Sequence, residues 1–348
     1  KNGYEVHLAT VITSFKKKIE SEGIHLHCLE LKRSTINPLI NCISLFQMFS
    51  LIRRIRPSIL HLVTIKPILI GGLAALLSRI IYNVNAGLVF SITGVGYPFT
   101  SKSRAAILIK LIISILYKFS FMHKEKFVIF QNKDDQNLIS SIARIENSEC
   151  ILIPGSGVDL SEYTYKPIPT GTPVIMFAAR LLKSKGILEF VEAAKSFKSS
   201  RFVLVGMLDT NNRDCIDKKQ LEEWLCNKTI EYWGYSKSMS KTLNKSTIVV
   251  LPSYKEGFPK VLIEASACGR PIITTNVTGC RDAVEPNETG LLIPIKDSIS
   301  LVKEIKYLLS NPEIIKEMGK RGRTLAEKKY DINLVIKRHM EIYNILTR

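Results

Sequence analysis

The feature that most constrains this chain is a twofold alternation of short apolar runs with longer helical stretches, broken once by a proline-rich polar segment. In the first half, strands are expected at Glu5–Ala9, His25–Leu29, Ile59–Leu62, Leu88–Ile92 and Phe127–Gln131, and helices at Phe15–Ser21, Pro38–Ile55 and Pro67–Ile80. Bounded apolar runs alternating with helix-length segments are the pattern of a parallel α/β sheet. A second series starts near Pro173, with strands expected at Val174–Ala178, Arg201–Val205, Ile230–Trp233, Ile248–Leu251, Pro271–Thr274 and Gly290–Ile293. Asp159–Thr172, with its Tyr-Lys-Pro-Ile-Pro-Thr-Gly run, reads as the linker, and Pro312–Thr347 as helix without a further strand. The expected organisation is an α/β domain over 1–160, a second over 173–320 and a helical tail, 321–348, that can return to the first. The chain opens at Lys1-Asn-Gly-Tyr as if after a first strand, so that strand and its glycine-rich loop are expected to be missing.

Composition narrows the chemistry. The seven cysteines make no CxxC pair and are odd in number, which argues for a reducing compartment and against a disulfide frame or zinc site. The six histidines form no HExxH-like cluster, so no metal is expected. The net charge of +18 is uneven, with 15 Lys/Arg against 4 Asp/Glu over residues 1–120. A basic half suits an anionic partner such as nucleic acid or a membrane surface. No helix-turn-helix, zinc-finger or RNP signature is present, so no nucleic-acid partner is expected.

The chemistry is densest at Glu256-Gly-Phe-Pro-Lys-Val-Leu-Ile-Glu264. Pro259 suits the first position of a helix whose apolar side is Val261, Leu262, Ala265 and Ala267 and whose stop is Gly269. Free amides at such a start attract anions. With ~1.5 Å of rise per residue, Glu256 and Glu264 can reach opposite ends of a phosphate-centred ligand on the order of 10 Å long, the dimension of a sugar nucleotide. Upstream, Arg180 and Lys185 follow the first strand of the second series in Ala179-Arg-Leu-Leu-Lys-Ser-Lys-Gly186, where a planar fork and a mobile point charge can clamp a diphosphate.

These elements resemble the E-x7-E and R-x4-K-G motifs of retaining glycosyltransferases of the GT-B fold, family 4 in particular. The resemblance implies two Rossmann-like domains facing across a cleft. It also implies that Glu256 contacts the donor sugar, that Glu264 holds the ribose, that the Gly257-Phe258-Pro259 amides help hold sugar and diphosphate, and that Arg180 and Lys185 stabilise the leaving nucleotide. Gly206 and Tyr235 fall where the family approaches the base. Pro154-Gly-Ser-Gly-Val-Asp159 resembles the family's hinge, and Thr278-Gly-Cys-Arg-Asp282 reads as a structural turn.

In the first half, His61-Leu-Val-Thr-Ile-Lys66-Pro and Thr93-Gly94-Val-Gly96-Tyr-Pro-Phe99 end consecutive expected strands. They resemble runs in bacterial family members that build surface glycans (capsule, lipopolysaccharide, glycoprotein glycans) on polyprenyl diphosphate. That subset implies a lipid-linked or growing polysaccharide acceptor, with Lys66 on a phosphate and Thr93, Gly94 and Gly96 near the sugar. Thr93 stands where many members have histidine, and His61 reads as a core-edge residue. Ser103–Met122 is nearly apolar all round and fits three readings: a minimal membrane span, a buried helix, or an interfacial helix whose Lys102, Arg104, Lys124 and Lys126 meet anionic headgroups.

The expected function is metal-independent, retaining transfer of a hexose or N-acetylhexosamine from a UDP-sugar, in the cytoplasm at the inner face of the membrane. The alternatives are a GT-B sugar-nucleotide epimerase and a non-catalytic sugar-nucleotide-binding subunit.

Overall fold

The computed structural model describes residues 3–11, 15–30, 38–95, 99, 104–210, 212 and 214–348. The chain divides into two compact units, one of Lys1–Leu152 with Glu341–Arg348 and one of Ile153–Met340.

In the first unit the order is β1 (His7–Thr10), α1 (Lys16–Ser21), β2 (His25–Cys28), α2 (Pro38–Ile55), β3 (Ile59–Val63), α3 (Ile65–Tyr82), β4 (Gly87–Ile92), α4 (Arg104–Ser120), β5 (Lys126–Phe130), α5 (Lys133–Ala143) and β6 (Cys150–Leu152). β1 and β2 form a parallel pair, and β3-β4-β5-β6 a parallel four-stranded sheet. Every residue of β4 is buried, as a central parallel strand covered on both faces requires. α5 and β6 were not anticipated from sequence. α5 starts at Asn132, whose side chain accepts the Asp135 amide at 2.7 Å, an N-cap that satisfies a donor with no helical partner.

α3 is long and apolar enough to cross a membrane, yet Ile68, Leu69, Ile70, Ala74 and Ala75 are buried in the core of this unit. Its two glycines explain the packing. A Cβ on Gly71 would lie 2.5 Å from the Leu62 side chain, and one on Gly72 2.6 Å from Ser120 Cβ, so α3 sits hard against β3 and α4. Ser120 donates to the Leu69 carbonyl at 3.1 Å, which fastens the end of α4 to α3.

In the second unit the order is β7 (Val174–Ala178), α6 (Ile187–Ala194), β8 (Arg201–Val205), α7 (Lys218–Cys226), β9 (Glu231–Gly234), α8 (Met239–Leu243), β10 (Ile248–Leu251), α9 (Lys260–Ala267), β11 (Ile272–Thr275), β12 (Gly290–Ile293), α10 (Ser298–Leu309), α11 (Pro312–Leu325) and α12 (Ile332–Leu346), with a π-helical turn at Ala326–Tyr330. α12 ends within the first unit's Glu341–Arg348 segment. The six strands are parallel in the order β12-β11-β10-β7-β8-β9. The chain builds outward from β7 to one side through β8 and β9, then returns to β10 and builds to the other. The order reverses between β7 and β10. In open α/β sheets ligands bind at the carboxyl ends of the strands flanking such a reversal.

Candidate functional site

The loops that follow β7, β8, β10 and β11 emerge at that end of the second sheet, and three glycines let them approach. Gly206 holds φ +146, and a Cβ there would stand 1.8 Å from the Ala179 carbonyl oxygen. Gly186 holds φ +77 with a Cβ position 2.0 Å from the Pro252 oxygen, which brings the loop after β7 against the loop after β10. Gly279 holds φ +80 against the carbonyls of Gly257 and Glu256, and its amide donates to Asp282 at 3.1 Å. The Thr278–Asp282 segment is thus the structural turn its sequence suggests, and it backs the Glu256 loop.

These contacts bring together two of the residues singled out from sequence. Lys185, ending a 3-10 turn at Lys183–Lys185, places Nζ 2.5 Å from Glu256 Oε1. Both side chains are mostly buried. The backbone around Lys185 is held independently: the Ser184 amide donates to Asp214 at 2.9 Å, the Tyr254 amide donates to the Ser184 carbonyl at 2.8 Å, and Ser253 Oγ donates to the same carbonyl at 3.2 Å. Lys185 is therefore delivered by a preset turn, with its ammonium against the carboxylate from the other side of the reversal. Arg180 is more exposed, and its Nη1 donates to Asp209 at 2.9 Å. Asp209, in the loop after β8, was not singled out from sequence, because nothing in its local run marks it.

Glu264 lies on α9 and is buried. Its Oε1 accepts from the Tyr163 hydroxyl at 2.8 Å and lies 3.5 Å from Lys260 Nζ. Burial raises its pKa above the usual carboxylate range, against the opposing pull of the Tyr163 bond and the Lys260 charge. Tyr163 belongs to the stretch read as linker, 101 residues away in sequence, so no local signal could have found it. Pro259 is the residue before the first helical position: its ψ of 114° is extended and α9 begins at Lys260. The helix start is capped by no side chain. Phe258 meets the Tyr330 ring edge-on at 5.8 Å and lies beside Gly155, so its side chain packs the interior of the unit.

At the ends of β8 and β9, Tyr232 donates to the Gly206 carbonyl at 2.9 Å and the Gly206 amide donates to the Gly234 carbonyl at 2.9 Å. Tyr235 follows with its ring exposed. Cys280, behind Glu256, is wholly buried, and burial pushes its thiol up to about 12. Among the described residues no cluster of His, Cys, Asp and Glu is placed to hold a metal ion.

In the first unit, Lys66 is the second residue of α3 and half-buried, and desolvation lowers its pKa. The turn that delivers it is strained: Thr64, β-branched, holds φ +74, while its amide donates to the Ser91 carbonyl at 3.0 Å. Thr93 and Gly94 follow β4, with Gly94 at φ +139. Gly96 lies outside the described residues. His61 is hydrogen-bonded to Ser91 Oγ at 2.7 Å and to the Tyr343 hydroxyl at 2.6 Å, a core-edge residue. Lys126 corrects the sequence reading. Its side chain is mostly buried, paired with Glu149 at 2.5 Å and donating to the His123 carbonyl at 3.0 Å, so it does not face headgroups. Lys102 and the side chain of Arg104 lie outside the described residues.

Two family models match the chain, "Glycosyl transferases group 1" over residues 161–325 and "Glycosyl transferase 4-like" over residues 1–132. The N,N'-diacetylbacillosaminyl-diphospho-undecaprenol alpha-1,3-N-acetylgalactosaminyltransferase of Campylobacter jejuni is 27% identical over 98% of this chain and 91% of its own length. The UDP-Gal:alpha-D-GlcNAc-diphosphoundecaprenol alpha-1,3-galactosyltransferase of Escherichia coli is 23% identical over 86% of this chain and 78% of its own. Among solved structures, the sucrose-phosphate synthase of Thermosynechococcus elongatus superposes with a TM-score of 0.80 at 20% identity, covering 99% of this chain and 89% of that one, a likeness of fold.

Proposed function

The chain belongs to the group 1 glycosyl transferases, with the GT-B fold, and on that premise we propose that it moves a hexose or N-acetylhexosamine from a UDP-sugar to a polyprenyl-diphosphate-linked acceptor, with retention and without a metal. The observation that carries the donor half is the Lys185–Glu256 pair at the carboxyl ends of β7 and β10, with Arg180 on the same loop as Lys185. A diphosphate entering there meets two cations and the uncapped amides of α9. It competes with Glu256 for Lys185, and Glu256, released from the lysine, turns to the hexose hydroxyls. Glu264, already buried and oriented by Tyr163, receives the ribose.

Transfer then breaks the bond between the anomeric carbon and the phosphate oxygen while the acceptor hydroxyl oxygen bonds to that carbon from the same face. The acceptor's proton passes to the departing diphosphate. Charge accumulates on that diphosphate, so fixed cations and helix amides aimed at it lower the barrier more than any protein base would. The acceptor reading is supported by the diphosphoundecaprenol acceptors in both relatives' names, by the basic first half and by the half-buried Lys66. It sets the protein at the inner face of the membrane, where such lipids are glycosylated from cytoplasmic donors.

The test is transfer from a panel of UDP-sugars to a polyprenyl-diphosphate sugar, with the product anomer read by NMR and the assay repeated in chelator. Glu256→Ala is expected to lower kcat by about 100-fold or more while UDP affinity stays within a few fold. Unchanged transfer would sink the donor-site assignment, and an inverted anomer would sink retention.

A further inference from the structure

We infer that the outer face of α4 is a bilayer-docking surface for anionic lipid, and that α4 lies in the membrane interface with its other face in the protein core. The helix has two apolar sides. Tyr117 and Ser120 are buried, with Phe121 just beyond, and Ile113 and Leu116 pack against the same core. On the other side Ile107, Leu108, Leu111, Ile112, Ile115 and Phe119 are each 47–60% exposed. At 100° per residue these six fall within an arc of about 140°, a continuous stripe rather than scattered surface leucines. Met122, more exposed still, extends it past the helix end.

The inner face of α4 packs on the core of an α/β unit, which holds the helix along the surface of that unit. With 17 residues at ~1.5 Å rise the helix is also shorter than the ~30 Å hydrocarbon core. It can lie along the interface, where apolar side chains enter the acyl boundary and flanking lysines snorkel to phosphates. The cations are in place for this. Lys110 and Lys118 are exposed and straddle one margin of the stripe, and at its end Lys124 and Arg79 line a common cavity with Glu125.

Charge decides between lipid and protein as the occupant. From Leu31 through Lys124 the sequence has twelve Lys/Arg and no Asp or Glu. Glu125, beside Lys124, and Asp134 on α5 are the nearest acids in sequence, so cations outnumber carboxylates around the face, which disfavours a second copy of itself and attracts a negatively charged surface. The inference deepens the lipid-linked acceptor reading by naming the face that meets the membrane, but its test needs no sugar.

The experiment is flotation of the full chain with vesicles of phosphatidylcholine alone or with about a third phosphatidylglycerol, at low and high salt. Wild type is expected to float with the anionic vesicles, less so at high salt. Leu111→Asp/Ile112→Asp is expected to lower the bound fraction about tenfold, with unchanged far-UV circular dichroism and UDP affinity showing that the chain is folded. Lys110→Gln/Lys118→Gln, which leaves the stripe intact, is expected to flatten the salt dependence. Equal flotation of the aspartate variant overturns the inference. So does a wild-type dimer that the aspartate pair makes monomeric, since the stripe would then be a protein interface. Loss of vesicle binding with sugar transfer to a short-chain acceptor preserved leaves the proposed function standing, and abolished transfer with vesicle binding intact does the reverse.

Discussion

Two lysine–glutamate pairs, one in each unit, have nearly the same geometry and, on the proposed function, opposite roles. Lys126–Glu149 and Lys185–Glu256 both close at 2.5 Å between mostly buried side chains. In the first unit the pair is saturated: Lys126 also donates to the His123 carbonyl, and it staples the start of β5 to the turn before β6. In the second unit the pair bridges the two loops that flank the reversal in strand order, where a ligand can take either partner. Removing one member of a buried pair costs stability because a charge is left without a counter-ion. The same loss at a site costs activity instead when substrate normally supplies the counter-charge. A short ion pair does not reveal its purpose, and on the proposed function it is position on the sheet that separates the two.

The sharpest break of this contrast is a matched substitution. Lys185→Met is expected to lower sugar transfer by about 100- to 1000-fold, since it removes a cation aimed at the leaving group. Lys126→Met is expected to leave transfer unchanged while lowering stability by about 1–3 kcal/mol, as an unpaired buried carboxylate would. Transfer kinetics and chemical denaturation on both variants decide it, and a transfer loss in Lys126→Met would erase the distinction.

A second pair sets the glycines of the two units against each other. Gly206→Ala forces a Cβ into the Ala179 carbonyl at φ +146 and is expected to cost about 3 kcal/mol or more, seen as a large fall in Tm with loss of UDP binding. Gly72→Ala presses on the Ser120 side chain at an ordinary helical φ. It is expected to cost about 1–3 kcal/mol and to leave UDP binding unaltered.

The smallest effect expected is at Glu264 and depends on pH. Burial raises its pKa in the folded chain, so between the ordinary carboxylate value and the raised one the native state holds more protons than the unfolded state. Stability therefore falls as pH rises through that window and does not return above it. Glu264→Gln removes this penalty and can still accept from Tyr163. It is expected to stabilise the ligand-free chain by about 1 kcal/mol at pH 8, with the gain shrinking toward pH 5, while UDP binds more weakly. Thermal melts across pH 5–8 with and without UDP read both effects, and a gain that grows toward low pH would reverse the assignment of the raised pKa.

Much of this was legible in the chain. β7, β8, β10 and β12 have the bounds their apolar runs suggest, because a strand of a parallel sheet covered on both faces is apolar throughout and ends where polar turn residues begin. α5 was legible too and was missed, although Asn132 followed by Asp134 and Asp135 is a helix start in residue chemistry. β6, three residues long, is too short to carry a period. Of the site, Arg180, Lys185, Glu256 and Glu264 stood out by type and spacing. Asp209 and Tyr163 did not, since each acts on a partner distant in sequence.

By itself the sequence determined that the chain folds as two α/β units, that one half is basic, and that two cations and two carboxylates sit after strands of the second series. Hydrophobic period and residue type are local properties, and they carry that information without distance. Tertiary structure decided that Lys185 meets Glu256 across 71 residues of chain, that Lys126 turns inward to Glu149, and that Glu264 is buried under Tyr163. It also decided that α4 buries one apolar side and leaves the other open. The physical reason is common to all four. A period reports that a face is apolar and a spacing reports that charges can meet, but which surface covers the face and which partner answers the charge follow from sheet order and close packing between distant segments.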